Sequence, residues 1–282
     1  MKRRELEERV ARFLMLLSAL LVLGSLFALL AIVVVKGVSA LSISMITQTP
    51  AGGYYFGKGG GILNAIIGSI YLAGGATVLA FLISLPTALY LNEYAANSKM
   101  ANAMRLCLDI LWGIPSIVYG AFAFTIMLYL SARASLFWGI ITVTLFVFPI
   151  MTRAMDEAVK IVPQRLKEGA FALGSTRLET ATRVVVRQAM PGILTAILLG
   201  FGRGIGDAAS VLFTAGYTDS IPRSLFEPVA TLPLAVFFQL TSPVPQVQQR
   251  AYASAIILLV LVLLASLASR ISTRKLFRYV VS

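Results

Sequence analysis

Arg203 and Asp207 stand four residues apart in a run that is otherwise apolar or small, FGRGIGDAASVLFTAG from Phe201 to Gly216. On a helix that spacing puts both on one face. An arginine there offers a planar fork able to make two parallel charge-assisted hydrogen bonds to an oxyanion. A neighbouring carboxylate would hold the fork in place and, by competing for it, allow the anion to leave. A lone charge near a bilayer centre costs at least about 2.5–3.5 kcal/mol on insertion scales. Two readings therefore stand: a self-neutralising structural pair, or Arg203 lining an anion route with Asp207 as its support.

A second stretch, EGAFALGSTRLETATR from Glu168 to Arg183, is the longest polar internal segment. Pro163 ends the preceding helix, and Leu166, Ala170 and Leu173 then recur at helical spacing. Gly174 suits the left-handed turn that closes a helix. Thr176 and Glu179 form a Thr-x-x-Glu capping box that starts another. The spacing predicts a bent pair of short helices. One explanation is an amphipathic hairpin lying on the lipid surface. The other is a docking element whose small residues, Gly169 and Ala170, allow close entry into a groove on a cytoplasmic protein.

Other chemistry is excluded by residue type. Gly52–Gly59, GGYYFGKG, nearly fits a phosphate loop but lacks the Ser or Thr that holds magnesium and follows no apparent strand. It reads as a flexible external loop. With no histidine and a single cysteine, Cys107, the chain has no Ser-His-Asp or Cys-His set and no intrachain disulfide, and no zinc or haem site is expected. Cys107, in an apolar run, reads as a small core hydrophobe. No cofactor is expected, and the chain should not hydrolyse ATP itself.

The elements that must position these residues are membrane spans. The 282 residues are 58% hydrophobic and 13% charged, with mean hydropathy +0.86, the composition of an integral membrane protein. The net charge of +12 comes from residues beside apolar runs rather than in a basic stripe, so nucleic acid is not an expected partner. Phe13–Val35 exceeds the roughly 20 residues a helix needs to cross a bilayer. It is too long for a signal-peptide core, despite the cleavage-like Val38–Ala40. Further spans are expected at Ile62–Tyr90, Leu106–Leu130, Leu136–Met151, Pro191–Ala215 and Tyr252–Ser269, making six. Pro86, Pro115 and Pro149 interrupt them, and neighbouring helices can satisfy the freed carbonyls. Basic residues in 1–12, 152–189 and the tail 270–282 then share one side, placing both termini in the cytoplasm. Asp109, near the cytoplasmic end of the third span, would reach water. Gly200/Gly204 and Gly202/Gly206 give two small-xxx-small patterns, suited to packing within the chain or to a seam with a partner.

Glu168–Gly174, E-G-A-x-x-x-G, resembles the EAA loop of binding-protein-dependent ABC-importer permeases. Nine residues and then VVVR, Val184–Arg187, follow as in that family, with Arg187 where proline is usual and Gly169 where alanine is. Phe201–Gly216 and ATLPLAVFF, Ala230–Phe238, are similar to the PstA-type permeases of phosphate importers, whose Gly-Glu-Thr is Gly206-Asp207-Ala208 here. The resemblance covers most of the chain, from the second span to Ser269.

The resemblance implies an all-α, MetI-like permease with a first helix at 13–35, a core at 62–269 and a coupling loop at 152–189. It implies that Glu168, Gly169, Ala170, Phe171 and Gly174 couple the spans to an ATPase. The implied partners are a second, PstC-like permease, a PstB-like ATP-binding dimer, an extracytoplasmic PstS-like phosphate-binding protein and the lipid bilayer. The expected function is phosphate import driven by a separate ATPase. A permease for another oxyanion, a PstC-type subunit, and an ion-driven secondary transporter or channel remain alternatives. The last would show repeated halves, and none is apparent.

Overall fold

The computed structural model describes residues 2–51, 59–96 and 98–276. Gly52–Lys58, which carry most of the phosphate-loop-like motif, and residues 277–282 of the tail lie outside the described residues.

Among the described residues the regular structure is all helical, with no β-strand beyond an isolated bridge between Pro50 and Gly60. Helix α1 (Lys2–Gly37) is followed by a 3-10 turn and short α2 (Ile43–Thr47). Helix α3 (Leu63–Leu89) widens into a π segment, Tyr90–Tyr94. Then come α4 (Lys99–Gly113), α5 (Ser116–Tyr129), α6 (Leu136–Lys160) and α7 (Gln164–Ala172). A single turn, α8 (Arg177–Glu179), passes through a second π segment, Thr180–Val185, into α9 (Val186–Ile205). Helices α10 (Leu232–Leu240) and α11 (Pro245–Leu276) complete the chain.

Among the described residues five helices are long and apolar enough to cross a membrane, and the α4–α5 pair makes six if counted as one span. This pair corrects the expected Leu106–Leu130 rod. It is bent by 96°, because Pro115 cannot donate to a continuing ladder and forces Ile114 to an extended conformation at ψ 131°. The expected Pro191–Ala215 span is corrected as well. Its helix begins earlier, runs through Pro191, and stops at Ile205, leaving 206–215 as turns. Gly202, Gly204 and Gly206 cluster at that stop, where helix propensity is poorest. Pro86 and Pro149, by contrast, sit inside unbroken helices.

The core follows from a spacing of four. Val143, Val147, Met151, Met155 and Val159 make one buried ridge on α6, and Leu72, Ala76, Ala80 and Ala88 another on α3. Rows of i±4 residues interdigitate when helices pack, and the alanines of α3 let the larger α6 side chains approach. Val185, at the end of the π segment, and Ala189, Ile193 and Ala196 of α9 join the same core. Helix α1 packs chiefly on α11, where a Cβ at Gly37 would meet the Tyr252 carbonyl carbon at 2.8 Å. Cys107 is exposed, correcting the core reading. The buried side of α4 is set by Ala101 and Leu108, and position 107 turns about 100° away from Leu108.

Candidate functional site

At one end of the bundle α7 stands outside the long helices. Pro163 precedes its first turn. The helix stops in a Schellman arrangement: the Gly174 amide donates to the Phe171 carbonyl at 2.9 Å and the Ser175 amide to the Ala170 carbonyl at 3.2 Å. Gly174 holds φ +84°, the left-handed region that favours glycine. The capping box forms as expected, with the Thr176 amide donating to Glu179 Oε2 at 2.9 Å and the Glu179 amide to Thr176 Oγ1 at 3.3 Å. Ser175 Oγ lies 2.9 Å from Thr180 Oγ1, which fixes the bend. The second element is not a separate short helix, however. Arg177–Glu179 is the first turn of the rod that continues as α9.

The expected stripe of Leu166, Ala170 and Leu173 is incomplete, because Leu173 falls beyond the last turn and is 91% exposed. Leu178 is 63% and Phe171 41% exposed. Together they give the tip of the pair an apolar surface beside an open groove of about 360 Å³ lined by Ala170, Leu173, Gly174, Ser175, Glu179, Arg183 and Val184. Glu168 and Gly169 are exposed, and a Cβ at Gly169 would meet nothing within 4 Å.

Behind α7 lies an ionic network that sequence reading missed. The fully buried Asp156 carboxylate accepts from Arg105 Nε and Nη2 at 3.0 Å each, Arg153 Nη1 at 2.8 Å and Asn92 Nδ2 at 2.7 Å. Lys160 Nζ lies 2.8 Å from the same group. Asp109 takes Arg153 Nε at 2.7 Å, and Glu157 lies 2.9 Å from Lys160. Asp109 therefore serves as a partner for Arg153 as well as reaching water. Asp109, Asp156 and Glu157 balance Arg105, Arg153 and Lys160, so the ends of α3, α4 and α6 are clamped by a charge-neutral cluster. The signal was present: RAMDEAVK, 153–160, spaces its charges three and four apart.

Arg203 and Asp207 are not brought together on one helical face. Asp207 lies beyond the α9 stop, where its carboxylate accepts from Ser116 Oγ at 2.7 Å and the Ser210 amide at 2.8 Å. Among the described residues no ion pair joins it to Arg203. Arg203 is exposed, its guanidinium carbon 4.7 Å from the centre of the Phe146 ring, a cation–π contact. The irregular segment after α9 packs tightly on α5, and a Cβ at Gly120 would meet the Ser210 carbonyl oxygen at 2.6 Å. Non-helical backbone at membrane depth is tolerated where protein or a water-filled cavity surrounds it. The two glycine patterns also separate. A Cβ at Gly200 or Gly204 would meet Met151 Cε at 2.4 Å or Val143 Cγ1 at 3.0 Å, so that pair packs within the chain. Gly202 has nothing within 4 Å.

The chain matches the family described as "Binding-protein-dependent transport system inner membrane component" over residues 84–278. It is 33% identical over 269 residues to the phosphate transport system permease protein PstA of Yersinia pestis, covering 95% of this chain and 90% of that one. It is 34% identical over 239 residues to PstA of Haemophilus influenzae, covering 84% and 83%. A chain from an inward-facing structure of the MetNI methionine ABC transporter superposes with TM-score 0.62 at 17% identity, covering 76% of this chain and 95% of that one. That likeness concerns the fold. The polypeptide is thus a multi-pass transport permease rather than an enzyme, and it belongs to the binding-protein-dependent transport permease family, within the PstA-type group.

Proposed function

We propose that this chain is the PstA-like half of a permease pair in an ATP-driven importer of inorganic phosphate. The observation that carries this reading is α7: a short helix outside the bundle, closed by Gly174, with Leu173 and Leu178 presented to a partner. Glu168, Gly169, Ala170, Phe171 and Gly174 form the coupling element that docks on a PstB-like ATP-binding subunit. The PstA relatives carry phosphate in their names, and they support the substrate and the further partners, a PstC-like permease and a PstS-like phosphate-binding protein. The clustering of basic residues in 1–12, 152–189 and 270–282 supports cytoplasmic termini and a cytoplasmic α7.

Arg203 lines the anion route. An exposed guanidinium within an apolar span is too costly to leave against lipid, so this face of α9 meets either the second permease or water in the pathway. Asp207 shapes the route by holding the backbone past the helix end, rather than by holding the arginine. ATP-driven closure of the ATPase pair moves α7, and the spans rock to open the route to the other side.

The experiment is phosphate uptake into vesicles containing the whole assembly, with and without ATP on the α7 side. ATP-dependent uptake saturated by phosphate, and not by sulfate or molybdate, is expected. Uptake at full rate without the ATPase would defeat the reading.

A further inference from the structure

Lys167 points away from the exposed tip of α7, into the protein. Its Nζ donates to Glu93 Oε1 at 2.6 Å, with 11% and 8% of the two side chains exposed. The contact spans 74 positions in sequence and ties α7 to α3, which is not its neighbour along the chain. Glu93 belongs to the π segment Tyr90–Tyr94. Such a widened turn is rare and re-aims the side chains it carries. Its neighbour Asn92 donates to Asp156 at 2.7 Å. The last turn of α3 is thus held on one side by the α6 carboxylate and on the other by α7. Beyond it, α3 runs against α6 and α9 through Leu72, Ala76, Ala80 and Ala88.

We propose that the Glu93–Lys167 pair is the joint that carries displacement of α7 into α3, and so into the core of the bundle. Both are positioning residues. Opposite charges out of water resist separation far more than solvated ones, so a push on α7 moves the α3 end before the pair parts. The proposal rests on α7 being the coupling helix.

The test uses the complete assembly in vesicles, with phosphate uptake and ATP hydrolysis measured on the same preparation. In Glu93→Gln and Lys167→Met, hydrolysis should continue while phosphate moved per ATP falls at least about five-fold, the lower edge of usual coupling strengths. The exchange Glu93→Lys with Lys167→Glu should recover most of the ratio. Glu93→Asp, which keeps the charge but draws it back by one methylene, should lower the ratio less, and it decides the matter where the other single variants do not assemble. An unchanged ratio in the assembled single variants, or an assembled exchange no better than they are, overturns the joint. If the unmodified assembly shows no ATP-dependent uptake, it is the functional reading that fails, before any variant is compared.

Discussion

Ser116 Oγ donates to the Asp207 carboxylate at 2.7 Å, joining the start of α5 to the residue just past the end of α9, while Arg203 lies over Phe146. Two acid–base neighbours in sequence therefore take different partners in space, and a serine more than ninety positions away is the carboxylate's partner. Double-mutant cycles distinguish these arrangements. Arg203→Ala and Asp207→Asn should add within about 0.3–0.5 kcal/mol, as independent sites do. Ser116→Ala and Asp207→Asn should couple by about 0.5–3 kcal/mol, as contacting residues do. Thermal unfolding of the purified chain in detergent reads both. Strong coupling of Arg203 to Asp207 would restore the helical-face reading.

Asp156 is the most heavily bonded acid in the described structure, and three cations depend on it. Asp156→Asn leaves Arg105, Arg153 and Lys160 crowded around a neutral amide. Removing one member of a buried ionic group typically costs about 3–5 kcal/mol. Folded yield and melting temperature should both drop sharply, whereas Glu157→Gln, at a carboxylate 57% exposed, should cost under about 1 kcal/mol. A mild effect at Asp156 would mean that the cluster is not the clamp of α3, α4 and α6.

Legibility followed the strength of the local signal. The apolar runs gave all the long helices, because about twenty such residues can hardly be anything else in a bilayer. The turn at Gly174 and the Thr176–Glu179 box were readable because both motifs act within a few residues. What failed depends on distance or on breaks inside apolar sequence. Hydropathy does not register that α9 stops at Ile205, since Val211, Leu212 and Phe213 remain apolar in the turns beyond. Nor does it register the 96° bend at Pro115, because other prolines in the same chain, at 86 and 149, leave their helices whole. The Glu93–Lys167 pair spans 74 positions, and no periodicity links them.

Gly174 and Gly169 test conformation against space in the same loop. Neither has a heavy atom within 4 Å of an added Cβ, but only Gly174 has positive φ. Gly174→Ala should cost about 1–2 kcal/mol from backbone strain alone, and Gly174→Val more. Gly169→Ala should stabilise α7 by roughly 0.5–1 kcal/mol. Hydrogen exchange across 164–180 should speed up in the first case and slow in the second. Phosphate moved per ATP should fall with Gly174→Val and hold with Gly169→Ala. Unaltered coupling in Gly174→Val would count against the docking role of α7.

Gly200 and Gly202 face opposite surroundings two residues apart on α9. A side chain at 200 runs into Met151 and Val147, at 2.4 and 2.8 Å from its first carbon, whereas one at 202 enters open space. Gly200→Leu should overpack the α6 contact and lower the chain's own melting temperature, by the equivalent of about 1–3 kcal/mol. Gly202→Leu should leave that temperature unchanged. If the open face at Gly202 is the seam with the second permease, Gly202→Leu will instead remove the partner from the purified complex and abolish uptake, because a small residue is what allows close helix approach. A Gly202→Leu complex of full stoichiometry and normal transport would place the seam elsewhere.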